Sequence, residues 1–167
     1  MTTIFQAFTN KYNGLANRLI TPVTVAYNGK EVNINALWDT GATRTNISKE
    51  VVQQLDLIPT GKINIQTAGG SIPSSTYLVN VSLPNHVVIQ DIEVCDSEIG
   101  KQGLGMLVGM DIISRGDFVI SAFGDKTTFS YRIPSKKKYD FVVESNMDNA
   151  ITKKKSKVNP TSRKKKR

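Results

Sequence analysis

Asp39 sits in the setting that most calls for a chemical explanation. It ends the apolar run Ala36-Leu37-Trp38 and is followed by Thr40, Gly41 and Ala42. A carboxylate set against apolar residues is costly unless it has a partner or a task. Carboxylates are among the common general acids and bases of hydrolysis. Thr40 can supply a hydrogen bond beside the acid, and Gly41 lets another backbone come close. Taken alone, Asp-Thr-Gly is better explained as a turn or a helix cap.

No other group of residues competes with it. His86 is the only histidine and follows the turn signal Pro84-Asn85, which makes it a solvated turn residue. Cys95 has no motif around it, so neither a Ser-His-Asp nor a Cys-His arrangement can be built. The glycines at 103, 105 and 109 match neither the dinucleotide nor the phosphate-loop spacing. Arg115-Gly116-Asp117 reads as a turn before Phe118.

The elements that must hold Asp39 are mostly strands. Val23-Thr24-Val25 and Val32-Asn33-Ile34 alternate with period two around Asn28-Gly29, the strongest short hairpin signal. The second strand delivers Asp39 to its end, a rigid mount for a reactive group. Ile47 continues a short strand, Ser48 is an N-cap, and Lys49 to Leu55 reads as a short helix stopped by Pro59 and Gly61. From Ile63 to Leu83 the chain is β again, broken at Ala68-Gly69-Gly70-Ser71, and Val87 to Val94 is a further strand. Met106 to Val108 is a short apolar strand, and Asp111 to Ser114 a helical turn. Phe118 to Ser121 and Thr128 to Tyr131 form a hairpin about Gly124-Asp125.

Three features in this order carry a resemblance. They are Asp39-Thr40-Gly41-Ala42 after a hairpin, Gly69-Gly70 between two strands, and Leu107-Val108-Gly109 downstream. Together they resemble the retroviral-type aspartic proteases, the retropepsins, over roughly residues 20 to 135, the size of one domain. The resemblance implies a mostly β, acid-protease half-barrel with one or two short helices. It also implies that Asp39 is the catalytic carboxylate and that Thr40 and Gly41 support its loop. Ala42, the flap residues Ala68, Gly69 and Gly70, and Leu107 would contact a polypeptide substrate. No metal or organic cofactor is implied.

An aspartic protease needs two carboxylates that share a proton and hold a water. The chain offers one Asp-Thr-Gly, since Asp111, Asp117 and Asp125 lack the following Thr/Ser-Gly. The second carboxylate must then come from an identical chain across a two-fold axis, so a homodimer is expected. Many retroviral enzymes pair an arginine after the apolar-apolar-Gly turn with an acid beyond the catalytic loop. Here those positions are Met110 and Thr43, and Arg44 with Asp111 is the candidate substitute pair.

Charge divides the chain. Nine of the 22 basic residues lie between Lys153 and Arg167, where there is no acid, so residues 1–152 carry 13 bases against 14 acids. The high net charge therefore belongs to the tail. Residues 1–20 are expected to be an N-terminal extension, an arm packed on the domain or on a partner chain. Residues 21–135 are the protease domain, and 136–167 a basic tail expected to be disordered. The segment 153–167 could hold nucleic acid or another polyanion without sequence preference, or simply solubilise the chain.

The lone cysteine fits a reducing, cytoplasmic location. The absence of a run of about 18 apolar residues argues against a membrane helix, and residues 1–10 do not read as a signal peptide. Two rivals remain beside an active endopeptidase. One is a degenerate dimeric peptide-binding module of the same fold. The other is a nucleic-acid-associated protein acting through its tail.

Overall fold

The structure is a computed structural model that describes residues 3–67 and 69–158. The chain falls into two compact units, residues 1–136 and 137–167. The first is mostly β, and its strands run in chain order as β1 (Gln6–Lys11), β2 (Ile20–Tyr27), β3 (Lys30–Trp38), β4 (Asn46–Ser48), β5 (Gly61–Thr67), β6 (Gly70–Ser82), β7 (Val88–Ser97), β8 (Met106–Val108), β9 (Asp117–Ser121) and β10 (Thr128–Ile133). Two short helices interrupt them, α1 (Lys49–Gln54) and α2 (Met110–Ile113). The second unit contains α3 (Phe141–Val158).

Seven strands form one sheet in the order β2-β3-β8-β4-β7-β6-β5, and β2 also pairs with β6. That extra pairing curls the sheet into a barrel-like shape, which hides strand edges that would otherwise lie open. The β2–β3 hairpin turns on Asn28 (φ 46°) and Gly29 (φ 78°). Two successive left-handed residues match the natural twist of paired strands. Along β2, Val23 and Val25 are buried while Pro22 is exposed and Thr24 half-buried, as a one-sided strand requires.

Two connections concentrate on the end of β3. β8 runs parallel to it, with Leu37 beside Leu107 and Trp38 beside Val108. β4 then inserts between β8 and β7, pairing antiparallel with the first and parallel with the second. Ser48 ends β4 and caps α1, its Oγ accepting the Val51 N–H at 3.3 Å. The buried Val51 and Leu55 dock that helix on the core.

The second sheet has the order β1-β10-β9. The arm expected over residues 1–20 is in part an ordinary strand: β1 pairs with β10 from Gln6–Ile133 to Lys11–Thr128. The sheet structure thus starts well before residue 21. The reason is packing, because Phe8 lies on Trp38 (5.7 Å between ring centroids), on Phe129 (5.5 Å) and on Tyr131 (6.2 Å). Trp38, the residue before Asp39, also meets Phe129 edge-on at 5.1 Å and Tyr131 at a tilt at 4.9 Å between ring centroids. Its indole N–H donates to Thr21 Oγ1 at 2.9 Å. β3 therefore ends on a buried aromatic floor.

The second unit differs from the disorder expected over 136–167. Asp140 accepts the Val143 N–H through its side chain at 3.3 Å and the Glu144 N–H through its carbonyl at 3.1 Å, and so opens α3. Acids at its start and lysines towards its end match the helix dipole. The end of the basic segment, residues 159–167, lies outside the described residues. Among the described residues no helix is long and apolar enough to cross a membrane.

Candidate active site

Two turns meet beneath the aromatic floor. Asp39 leaves β3 with its N–H donating to the Val108 carbonyl at 3.0 Å. Three residues on, the Ala42 carbonyl accepts the Met110 N–H at 2.8 Å. The catalytic-type loop is thus bound at both ends to the Val108-Gly109-Met110 turn. Gly109 permits the approach: a Cβ there would lie 2.5 Å from the Arg44 carbonyl carbon and 2.6 Å from its oxygen. No side chain fits in that gap, so glycine is required by closeness rather than by backbone angle.

Within the loop the Gly41 N–H donates to Asp39 Oδ1 at 2.9 Å, and the Ala42 N–H to the Asp39 carbonyl at 3.2 Å. The first bond fixes the plane of the carboxylate, and the second tightens the turn. Asp39 is half-buried, Thr40 and Gly41 are exposed, and Ala42 is half-buried.

Below the loop Thr45 and Asp111 form a clamp. Thr45 is fully buried and donates its N–H and hydroxyl to the two carboxylate oxygens of Asp111, at 2.9 and 2.7 Å. The same hydroxyl accepts the Gly109 N–H at 3.1 Å. Asp111 also takes the N–H of Ile112 at 2.9 Å. The pair suggested by sequence, Arg44 with Asp111, is not formed. Arg44 reaches Glu93 on β7 at 2.5 Å instead. Asp111, half-buried within α2, has both carboxylate oxygens engaged by Thr45 instead.

A groove of about 640 Å³ opens from Asp39. Ala42 and Leu107 line it, as do Arg44, Ile63, Ile65, Ile72 and Ile99. The structure therefore brings Asp39, Gly41, Ala42 and Leu107 into one site. Gly69 and Gly70 lie at the β5–β6 tip, where Gly70 has φ 112°, and they do not line the groove. Ala68 lies outside the described residues. Ile63, Ile65 and Ile72, on the arms of this hairpin, form its inner wall in place of the tip. The alternation of Ile63 and Ile65 along β5 was the available signal, since residues two apart share a face. Ile99 and Arg44 come from loops and had no such signal. Glu98 also lines the groove, but its carboxylate is paired with Lys49 at 2.5 Å. A second depression of about 390 Å³ lies on the other side of Asp39, bounded by Leu19, Trp38 and Phe118.

Cys95, the single cysteine, is fully buried beside β4, and burial pushes its thiol above the ordinary value. That is the setting of an inert core thiol. No group of three or more metal-ligating side chains is found among the described residues.

The family described as "gag-polyprotein putative aspartyl protease" matches residues 23–115, more than half of the chain. A retropepsin-like aspartic protease from Rickettsia conorii superposes with a TM-score of 0.53 at 18% identity, over 80% of this chain and 98% of that one. EIAV protease, complexed with the inhibitor HBY-793, matches with a TM-score of 0.46 at 22% identity, over 62% of this chain and 90% of that one. The protease of Simian Foamy Virus (mac) gives a TM-score of 0.40 at 20% identity, over 56% and 92% of the two chains. No curated protein matches by sequence. The likeness to the Rickettsia protein is one of fold. The family match spans the catalytic-type loop, the hairpin and the Leu107-Val108-Gly109 turn, and on it the chain belongs to the gag-polyprotein aspartyl protease family, with a retropepsin-like fold.

Proposed function

We propose that the protein is an aspartic endopeptidase that works as a homodimer, with Asp39 and Asp39 of the partner subunit sharing one proton and one water. The observation that carries this is the state of the groove. Asp39 opens onto it with Oδ1 held by the Gly41 N–H, and the other acid on its wall, Glu98, is already paired with Lys49. One chain supplies one free-standing carboxylate, and a two-fold axis through the site supplies the second.

The chemistry follows from a shared proton. The ionised carboxylate takes a proton from the water as the water oxygen bonds to the peptide carbonyl carbon. The protonated one gives its proton to the carbonyl oxygen. Collapse of the tetrahedral diol breaks the C–N bond: the proton held by the base passes to the leaving nitrogen, and one diol hydroxyl returns its proton to the other carboxylate, which restores the shared-proton pair. Gly41 orients the carboxylate, and Ala42, being small, leaves room for substrate backbone. Ile63, Ile65, Ile72 and Leu107 favour apolar substrate side chains. In this reading Thr40, exposed beside the acid, meets its counterpart across the axis, and Gly69 with Gly70 lets the hairpin tip bend over the substrate. The lone buried thiol supports a cytoplasmic setting, and the lysines from 153 onward support a salt-sensitive contact with polyanions.

Replacing Asp39 with Asn tests the reading. The amide is close in shape to the carboxylate but cannot serve as the base. Cleavage of an unfolded protein should disappear while the circular dichroism spectrum stays unchanged. Undiminished cleavage would refute the assignment. If the wild type binds peptides and never cleaves them, the site is a binding module.

A further inference from the structure

Helix α3 carries a feature that the protease reading does not use. It has 18 residues, from Phe141 to Val158. Most helical stability in proteins comes from a packed face rather than from propensity. Val143, Met147 and Ile151 are 46%, 61% and 52% exposed. With about 100° per residue, these positions and Ala150 fall on one stripe.

Charge is divided along the same helix. Asp140, Glu144 and Asp148 occupy its start with no base among residues 139–152, and Lys153, Lys154, Lys155 and Lys157 follow with no acid. A nucleic acid or an anionic membrane laid along the helix would meet the acidic half as well as the basic half. A second copy running in the opposite direction meets the reverse order of charge at every point. Positions 144, 148 and 155 lie on one flank of the stripe, and in an antiparallel pair related by a two-fold axis that flank faces itself. A register centred beside Ala150 brings position 144 of one copy level with position 155 of the other, an acid against a base in the sequence. It also brings the smallest residue of the stripe to the point of closest approach.

We infer that α3 is a self-association element that pairs antiparallel with α3 of a second copy of this chain through the Val143-Met147-Ala150-Ile151 stripe. This pairing does not depend on the Asp39 site.

Cross-linking of the full chain tests it, because Cys95 is the only natural cysteine and is buried. Ala150→Cys should form an intermolecular disulfide under a mild oxidant. Val143→Cys should cross-link at least about tenfold more slowly, because the two positions 143 stand some 20 Å apart in this register, far beyond disulfide reach. Glu144→Lys should slow the Ala150→Cys reaction, and adding Lys155→Glu should restore it. Equal cross-linking at 143 and 150 would mean parallel or random contact. Absence of cross-linking at 150, or indifference to Glu144→Lys, would likewise overturn the pairing. Running the series in the Asp39→Asn background keeps the result separate from the fate of the protease assignment.

Discussion

Thr45 holds Asp111 with two hydrogen bonds, from its N–H at 2.9 Å and its hydroxyl at 2.7 Å, one to each carboxylate oxygen. Through its hydroxyl it also receives the Gly109 N–H. This clamp ties the segment after the Asp39 loop to the turn before α2. It stands at the place where the sequence suggested an arginine–carboxylate pair.

Asp111→Ala should therefore loosen the site from below. It leaves the Thr45 N–H and hydroxyl without their acceptor, and Thr45 is 0% exposed. The cost of an orphaned buried donor is about 1–3 kcal/mol. Urea unfolding should show a lower midpoint, and proteolysis should fall with it. Thr45→Val should repeat the effect through the Gly109 N–H, and the two losses should not add, because both remove one network.

Gly109→Ala should be more damaging than an exposed glycine replacement. Its Cβ would lie 2.5 Å from the Arg44 carbonyl carbon and 2.9 Å from the Thr45 N, both backbone atoms that cannot swing aside. The loops must separate, which breaks the Met110–Ala42 bond. Activity should be lost and the thermal midpoint lowered. Gly124→Ala, where the added carbon meets nothing within 4 Å but φ is +62°, carries only left-handed backbone strain of about 1–2 kcal/mol and serves as the comparison that isolates the clash.

Asp117 should set an acid limit to stability. It is buried at the start of β9, and burial works against its ionisation. Ser135, the Lys136 N–H and Arg132 outweigh that and hold the carboxyl down to about 2. Its folded value lies below its unfolded value. The stabilisation is therefore present above the ordinary carboxylate range, and is lost as the pH falls from about 4 towards 2. Asp117→Asn should be less stable than wild type at pH 7, and the gap should close across that window in denaturant titrations at fixed pH. A constant gap would exclude Asp117 as the titrating group.

Much of the frame could be read from the sequence because its signals were local. Asn28-Gly29 marked the hairpin, Ser48 the cap of α1, and Leu107-Val108-Gly109 the turn that Asp39 needs. Pairings between distant residues were not legible. β1 meets β10 across the length of the domain, and Thr45 meets Asp111 across 66 positions. Arg44 pointed to the wrong acid for the same reason, since Glu93 comes alongside only when β4 inserts next to β7. The groove wall illustrates the difference within one hairpin: its glycines announced the tip, while the isoleucines on its arms gave only a strand pattern.

Removing residues beyond Lys138 should leave the site intact. Ser135 and the Lys136 N–H, which hold Asp117, are retained, whereas α3 and the basic segment are lost. The shortened chain should fold with the same thermal midpoint and retain proteolysis at high protein concentration. Its binding to duplex DNA at low salt should fall sharply, and unchanged DNA affinity would remove the polyanion reading.

The central claim is that one active site contains Asp39 from two chains, and mixing tests it most directly. Wild type and Asp39→Asn are combined in varying ratio at constant total protein, equilibrated, and assayed for cleavage of an unfolded substrate. If each site needs both carboxylates, mixed dimers are inactive, and an equal mixture should retain about a quarter of the wild-type rate, since random pairing makes activity follow the square of the wild-type fraction. A rate that falls only in proportion to the wild-type fraction, leaving half at equal mixing, would show that a single chain completes the site and would contradict the account.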